Sequence, residues 1–525
     1  MGLDILYLLA GAIVAAVIFF LCSVPALGVY QQCGYSGREL NGWYFRKKSN
    51  LKQRYILLSL ACVLLTALLS LCFSFLGPEL CNLISAAGLI GMGVLFFYSK
   101  HSALKVSLAR TSRMIRLSVC YYLLLVALIF GLCVGLWYAA EAIGHDLARV
   151  FRFVPVAVLP VFFPPIVSVA GFLMKGYELP RNRRFCERAK KKLHESSCIK
   201  VGITGSFGKT SVKEYASCIL SEKFKTVATP ASFNTPMGIA RTVEELGLDC
   251  DVFLAEMGAR HVGDIKELCD IVPLDFAVVT GICNQHLETF GSLGNIVREK
   301  GEIVKCAKLS VLGASASEIQ GENVLREGKD FAAEEIDCST DGTKFRLRLG
   351  AETVNVETAL LGRHAAEDIA LAAALCSALG MTAEEIATGI SKICPVPHRL
   401  QLTESGGLYL LDDSYNSNVE GAKNAVEVLK LFPKKKYVIT PGIVELGEMQ
   451  EECNEKLGEL FVGLDKVILV GETLVGAVKN GYDRAGGDKD RLRIVSSLQN
   501  ALIALQPDLE RGDCLLFLND LPDRY

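Results

Sequence analysis

Six residues, Gly205, Ser206, Phe207, Gly208, Lys209 and Thr210, follow the apolar run "KVGIT" and lead into a helical pattern in "SVKEYASCILSEKF". Those residue types in that order suit an anion. Glycines let backbone N–H groups turn toward a phosphate, a helix N-terminus adds partial positive charge, a lysine reaches the outer phosphates, and a threonine hydroxyl can bind Mg²⁺. The spacing is G-x-x-G-K-T and not the strict G-x-x-x-x-G-K-[ST], because position 203 is Ile. A match this short between a strand and a helix also arises for purely structural reasons, so further residues must support it. One is Glu256, which ends the run "DVFLAE". Open α/β sheets place ligand groups at the carboxyl ends of their strands, and Mg²⁺ takes carboxylate oxygens. His286, in "NQHLETFGS", suits a metal or a loop hydrogen bond equally well on spacing alone. Lys300, in "REKGEI", reads by itself as one solvated lysine on an amphipathic helix.

The elements that must position these groups are legible from Ile199 onward. Short β-branched runs, "KVGITG", "DVFLAEMG", "FAVVTGI" and "LSVLGA", alternate with helical stretches such as "EYASCILSEKF" and "GDIKELCDIV". That alternation marks βαβ units and a parallel sheet covered on both faces. The polar, alternating stretch "TKFRLRLGAETVNVETALL" predicts antiparallel strands, and "AAEDIALAAALCSALG" predicts a helix ended by Gly380. Two prolines make "CPVPHRLQL" a domain hinge, beyond which "LYLLDDS", "KYVITPG", "KVILVG" and "DCLLFLND" form a second α/β set. The expected domains are a membrane region over 1–195, a central ATP-binding α/β domain over 196–398 and a Rossmann-like C-terminal α/β domain over 399–525.

The chain has 525 residues, 51% of them hydrophobic, which is too apolar for an ordinary soluble enzyme. The excess lies in the first 175 residues, where four runs approach or exceed the roughly 20 residues that cross about 30 Å of hydrocarbon. They begin at "LDILYLLAG", "YILLSLACV", "LCNLISAAG" and "LSVCYYLLL". A fifth run carries Pro155, Pro160, Pro164 and Pro165, so it is a kinked span or a re-entrant segment. Lys and Arg cluster around 38–54, 100–116 and 175–192 and are nearly absent from the intervening links. The positive-inside rule then gives about five spans, an outside N-terminus and cytoplasmic catalytic domains. The first run lacks a basic n-region and is too long for a signal peptide. The 19 cysteines are scattered singly without a C-x-x-C pair, which reads as reduced core residues, and the net charge of −2 argues against a nucleic-acid partner.

Taken in order, "GITGSFGKTSVKE", "TPASFNTPMGIARTVEEL", "FLAEMGARHVGDIKEL", "VVTGICNQHLETFGSL", "REKGEIV", "GRHAAEDIALAAA", "PHRLQL" and "DDSYNSNVEGA" resemble the successive blocks of the Mur ligases. The likeness is greatest to the MurF branch and covers nearly everything from Ile199 to the end. The first 195 residues fall outside it, and apolar runs stand where that branch usually has a UDP-binding domain. The resemblance implies ATP-dependent amide formation, in which a carboxylate becomes an acyl phosphate and an amine then displaces phosphate. Every group on that path is or becomes anionic, so such a site needs cations more than a nucleophilic side chain.

By the same resemblance, Gly205, Ser206, Gly208 and Lys209 hold the phosphates, while Thr210 and Glu256 take the first Mg²⁺. His286 takes a second metal, and Lys300 is the lysine that much of the family carbamylates with CO₂. His398, Arg399 and Asp413 match residues that meet the nucleotide across the domain junction. Asn234 and Thr235 match the loop facing the sugar-peptide acceptor, and Asn416 and Asn418 lie near the incoming amine, with Asn519 or Asp520 helping to select it. One block departs: where the family's "GxHNxxN" asparagines hold adenine, this chain has Ala365 and Asp368 beside His364. The expected partners are a muramyl-peptide precursor, UDP-linked or lipid-linked, and an amino acid or D-Ala-D-Ala. Two other readings are an amidating relative fed with ammonia by a glutaminase, which lacks support without a cysteine-rich zinc insertion, and a P-loop ATPase driving transport.

Overall fold

A computed structural model of the chain describes residues 2–46, 50–72, parts of 84–96, 108–143, 154–285, 287–415, 418–444, 446–471 and 473–519. His286, Asn416, Asp520 and most of the third apolar run lie outside the described residues. The chain divides into two compact units, residues 1–181 and 182–524.

The first unit is helical: α1 (Gly2–Gln32), α2 (Gly37–Arg46), α3 (Asn50–Cys72), α4 (Ser112–Ile143) and the start of α5 (Phe163–Glu195). Phe19, Tyr55, Tyr121 and Phe163 share its core, with Phe163 edge-on to Phe19 at 5.6 Å and to Tyr55 at 5.2 Å. The opposite faces are apolar and bare; Leu64 and Phe172 are 69% and 72% exposed. Four helices among the described residues are long and apolar enough to cross a membrane by length and composition. The proline-rich run is a 3₁₀ segment, Val154–Phe162, leading into α5. Pro164 and Pro165 fall in the first turn of α5, where a missing N–H leaves no helical bond unmade.

In the second unit the strands β1 (Ile199–Thr204), β2 (Thr226–Ala228), β3 (Val252–Glu256), β4 (Phe276–Val279), β5 (Leu309–Leu312) and β6 (Val324–Arg326) form a sheet of order β2-β3-β1-β4-β5-β6. Its neighbouring strands all pair in parallel. Between them run α6 (Lys209–Leu220), α7 (Pro236–Leu246), α8 (Asp264–Ile271) and α9 (Leu293–Cys306). Strand β1 lies between β3 and β4, so the chain order reverses at its carboxyl end and opens the crevice where parallel sheets bind ligands. The predicted antiparallel patch is β7 (Phe331–Cys338), β8 (Thr343–Leu349) and β9 (Glu352–Thr358). Helix α10 (Arg363–Ala378) follows, and Gly380 at φ +86° ends it as expected.

The C-terminal domain is a sheet of order β10-β11-β15-β12-β13-β14. Its members are β10 (Gln401–Ser405), β11 (Leu408–Asp413), β12 (Lys436–Thr440), β13 (Lys466–Val470), β14 (Leu492–Val495) and β15 (Cys514–Leu518). Helix α11 (Ala383–Ile390) precedes the junction, and α12 (Val419–Leu429) opens directly after its cap, Asn418. At the junction His398 and Leu400 have φ of +60° and +45°, a left-handed conformation that non-glycine residues hold only when their surroundings impose it. The eighteen described cysteines form no disulfide.

Candidate active site

The loop from β1 to α6 is braced from behind by the end of β4. Ser206 N–H donates to Gly281 O at 2.7 Å, and the Thr280 hydroxyl donates to Phe207 O. Gly205 is required there: at φ +149°, any Cβ would lie 2.1 Å from Thr280 Oγ1. Lys209 curls back over the loop, its Nζ 2.8 Å from Gly205 O and 3.3 Å from Ser206 O. Burial lowers its pKa, with Glu256 nearby acting in the opposite sense.

Glu256, the last residue of β3, is 1% exposed, which excludes an ordinary solvated loop glutamate. Its Oε2 accepts from Thr210 Oγ1 at 3.0 Å and its Oε1 accepts from Asn234 Nδ2 at 3.2 Å. Three of the residues singled out in the sequence therefore meet at one carboxylate. Thr235, next along, spends its hydroxyl capping α7 through Gly238 N–H. Asn418 does the same for α12, accepting from Gly421 N–H at 2.9 Å.

Lys300 corrects the solvated reading: it is 3% exposed. The amphipathic pattern of α9 is real, but this lysine lies on its inward side. Burial, then the Lys209 charge, pushes its pKa down to about 7, so near neutrality much of it is an uncharged amine. Its neighbour Glu299 is also buried and accepts N–H bonds from Gly263 and Ile265 at 2.8 Å each, which fixes the start of α8.

From the C-terminal domain, Arg399 lays its guanidinium 4.5 Å from the centre of the Tyr415 ring and donates to Tyr415 O at 3.0 Å. It makes no ion pair with a described residue. Asp413 accepts from Leu400 N–H at 3.2 Å, and burial raises its pKa to about 6 against the opposing pull of Arg399. His398 turns aside to Asp412, Nδ1 to Oδ2 at 2.7 Å, and lines neither cavity described below.

Two cavities flank the phosphate loop. One, of about 350 Å³, is lined by Lys209, Thr210, Asn234, Glu256, Lys300 and Arg399. The other, of about 660 Å³, reaches between the domains past Tyr215, His364, Asp368, Arg399 and Asp413. In the second, His364 Nδ1 has no partner and the ring's pKa falls to about 4 through burial. Asp368 is pushed well above the usual carboxylate range by burial, then by Glu367 and Glu327. Sequence reasoning missed Lys213, Ser232 and Tyr415. Lys213 stands three residues after Thr210 on a helix, a spacing that shares one face, and that was the available signal.

Residues 203–376 match the family model for the Mur ligase middle domain, and residues 398–518 match that for the Mur ligase glutamate ligase domain. Together these cover more than half of the chain. The chain belongs to the Mur ligase family. The UDP-N-acetylmuramoyl-tripeptide–D-alanyl-D-alanine ligase of Escherichia coli is 34% identical over 292 residues, a match spanning 52% of this chain and 64% of that ligase, just under two thirds of its length. The enzyme of the same name from Mycobacterium bovis is 28% identical over 72% of this chain and 83% of its own. Among solved structures, MurF ligase from Thermotoga maritima in complex with ADP superposes with a TM-score of 0.57 at 26% identity, covering 64% of this chain and 80% of that one. These relatives put this Mur ligase in the MurF-like branch.

Proposed function

We propose that this Mur ligase is an ATP-dependent amide ligase of the MurF type, joining D-Ala-D-Ala to the tripeptide of a muramyl cell-wall precursor. One observation carries the reading: Thr210, Glu256 and Asn234 converge on one carboxylate beside Lys209, while Arg399 enters the same cavity from the other domain.

The donor set suits Mg²⁺, a hard ion that takes one or two protein oxygens and completes its shell with phosphate and water. Among the described residues no three His, Cys, Asp or Glu side chains converge at this site or any other, so the protein's share of the shell here is one carboxylate and one hydroxyl. Thr210 Oγ1 and Glu256 would hold the ion, which when bound would neutralise charge on the transferring phosphoryl group. Lys209 would leave its own loop carbonyls for the outer phosphates of ATP. Arg399, held over the Tyr415 ring, would place a second cation over the transferring group. Lys300, uncharged and facing the same cavity, is suited to take up CO₂ and become an anionic carbamate. Asn234 and Thr235 would face the acceptor, and Asn418 the incoming amine.

Membrane attachment through the apolar helices, with the catalytic domains on the cytoplasmic side, accords with the distribution of basic residues and with the bare leucine faces. Such an anchor would suit an acceptor presented at the bilayer surface on a lipid. The experiment is turnover by detergent-solubilised protein with ATP, Mg²⁺ and D-Ala-D-Ala, comparing UDP-linked and lipid-linked muramyl tripeptide. ADP release together with a product of pentapeptide mass supports the reading. Its absence with both acceptors refutes it, and equal turnover of both removes the preference for a lipid carrier.

A further inference from the structure

Lys213 is fully buried, and no step above uses it. It lies one turn beyond Thr210 on α6, so the two side chains share a face of the helix. Its ammonium donates to Thr229 O at 2.6 Å and to Ala231 O, lies 3.1 Å from Glu214 Oε1, and stands 3.5 Å from Glu256 Oε2. Among the described residues it is the one cation within ion-pair distance of Glu256. A buried cation persists only where it is paired and hydrogen-bonded, and here the partners come from the phosphate-loop helix, from the end of β3 and from the turn after β2.

That turn supplies an independent observation. Ala231 has φ +46°, the left-handed region that alanine enters only under constraint. Its carbonyl is one of the two that Lys213 holds. Directly beyond it, Ser232 reaches the Tyr415 hydroxyl and Asn234 reaches Glu256. Thr229 is tied in as well, its Oγ1 accepting from Glu256 N–H at 3.0 Å.

We propose that Lys213 is a positioning residue that clamps the strained 229–231 turn onto the phosphate-loop helix and so sets Glu256 and Asn234 in register with the bound nucleotide. This rests on the ligase reading for its kinetic consequence. Lys213 touches no substrate; it acts through the two side chains that do. Its removal therefore affects the reacting geometry more than nucleotide capture, which depends on Lys209 and the loop N–H groups.

The test compares four full-length proteins in detergent: native, Lys213→Met, Ala231→Gly and the double variant. Glycine relaxes the turn, so the double variant separates folding from positioning. In Lys213→Met, kcat is expected to fall by about 10²-fold with KM for ATP within about threefold of native. In the double variant the melting temperature recovers but kcat does not. Recovery of kcat along with melting would make Lys213 merely structural and overturn the proposal. Where Lys213→Met alone does not fold, the double variant carries the same comparison. Absence of amide product from the native protein would count against the ligase reading alone. The clamp is then judged by melting: an Ala231→Gly shift that is identical with and without Lys213→Met would overturn it.

Discussion

The hydroxyls of Ser232 and Tyr415 lie 2.7 Å apart, a hydrogen bond that joins the turn carrying Asn234 in the central domain to the residue under Arg399 in the C-terminal one. In the nucleotide-bound state proposed above, this bond would tie closure of the two domains to placement of the arginine. Tyr415→Phe removes the bond and keeps the ring, so kcat/KM for ATP should fall by about three- to tenfold. Tyr415→Ala also frees Arg399 and should cost more. Steady-state ADP release checks both, and unchanged rates in Tyr415→Phe would show that the bond does not serve closure.

Glu256→Gln keeps the shape of the side chain, but it turns one of the two acceptor oxygens facing Thr210 and Asn234 into an N–H donor and loses the charge that would hold Mg²⁺. Turnover should drop by on the order of 10²- to 10³-fold, and the Mg²⁺ concentration for half-maximal rate should rise. Lys209→Met should lose a similar factor. Because it removes a half-buried ammonium whose charge is disfavoured by burial, its melting temperature should not fall. Titration of rate against Mg²⁺ for the first, and thermal melting for the second, are the measurements.

Lys300 gives a pH signature. Its folded-state pKa, about 7, lies below the ordinary 10.5, so between those values the unfolded chain holds a proton that the folded chain does not. Stability from this group is therefore lowest below pH 7 and rises with pH across that window. In CO₂-free buffer, Lys300→Met should melt above native by a margin that is greatest near pH 6 and shrinks toward pH 10. A margin independent of pH would contradict the burial of the amine. On the proposed carbamate role of Lys300, activity of the native protein should in turn decline as CO₂ is withdrawn.

By the resemblance of its sequence block, Asp368 stands at the position of the family's asparagine, and burial, then Glu367 and Glu327, push its carboxyl well above the usual carboxylate range. Protonated, it can donate and accept as an amide does. Ionised, it repels a polyanion. KM for ATP should therefore rise with pH in the native protein, while Asp368→Asn should flatten that dependence and lower KM by about three- to tenfold at the alkaline end. A parallel pH profile in the variant would remove Asp368 from nucleotide binding.

Much of this architecture was legible because its signals are local. The β-branched runs at 199–204, 252–256 and 276–279 became neighbouring parallel strands, and the alternating stretch at 343–358 became an antiparallel pair. Gly205 to Thr210 was readable because a phosphate loop is one short segment. What escaped depends on contacts between distant segments. Lys300 looked solvated because helix periodicity does not say which face is covered. His398 carries the right motif, yet its left-handed backbone turns the ring onto Asp412. Lys213 could be placed beside Thr210, but its tie to a turn sixteen and eighteen residues away appears only in three dimensions.

Lys209 Nζ donates to the carbonyls of Gly205 and Ser206, so a phosphate that takes this lysine exchanges one set of acceptors for another. Such an exchange favours the partner that offers the most charge. A triphosphate can outcompete two neutral carbonyls where a lone phosphate or a nucleoside does so poorly. The loop's own carbonyls thus set a threshold of charge that a competing acceptor must exceed to win the lysine.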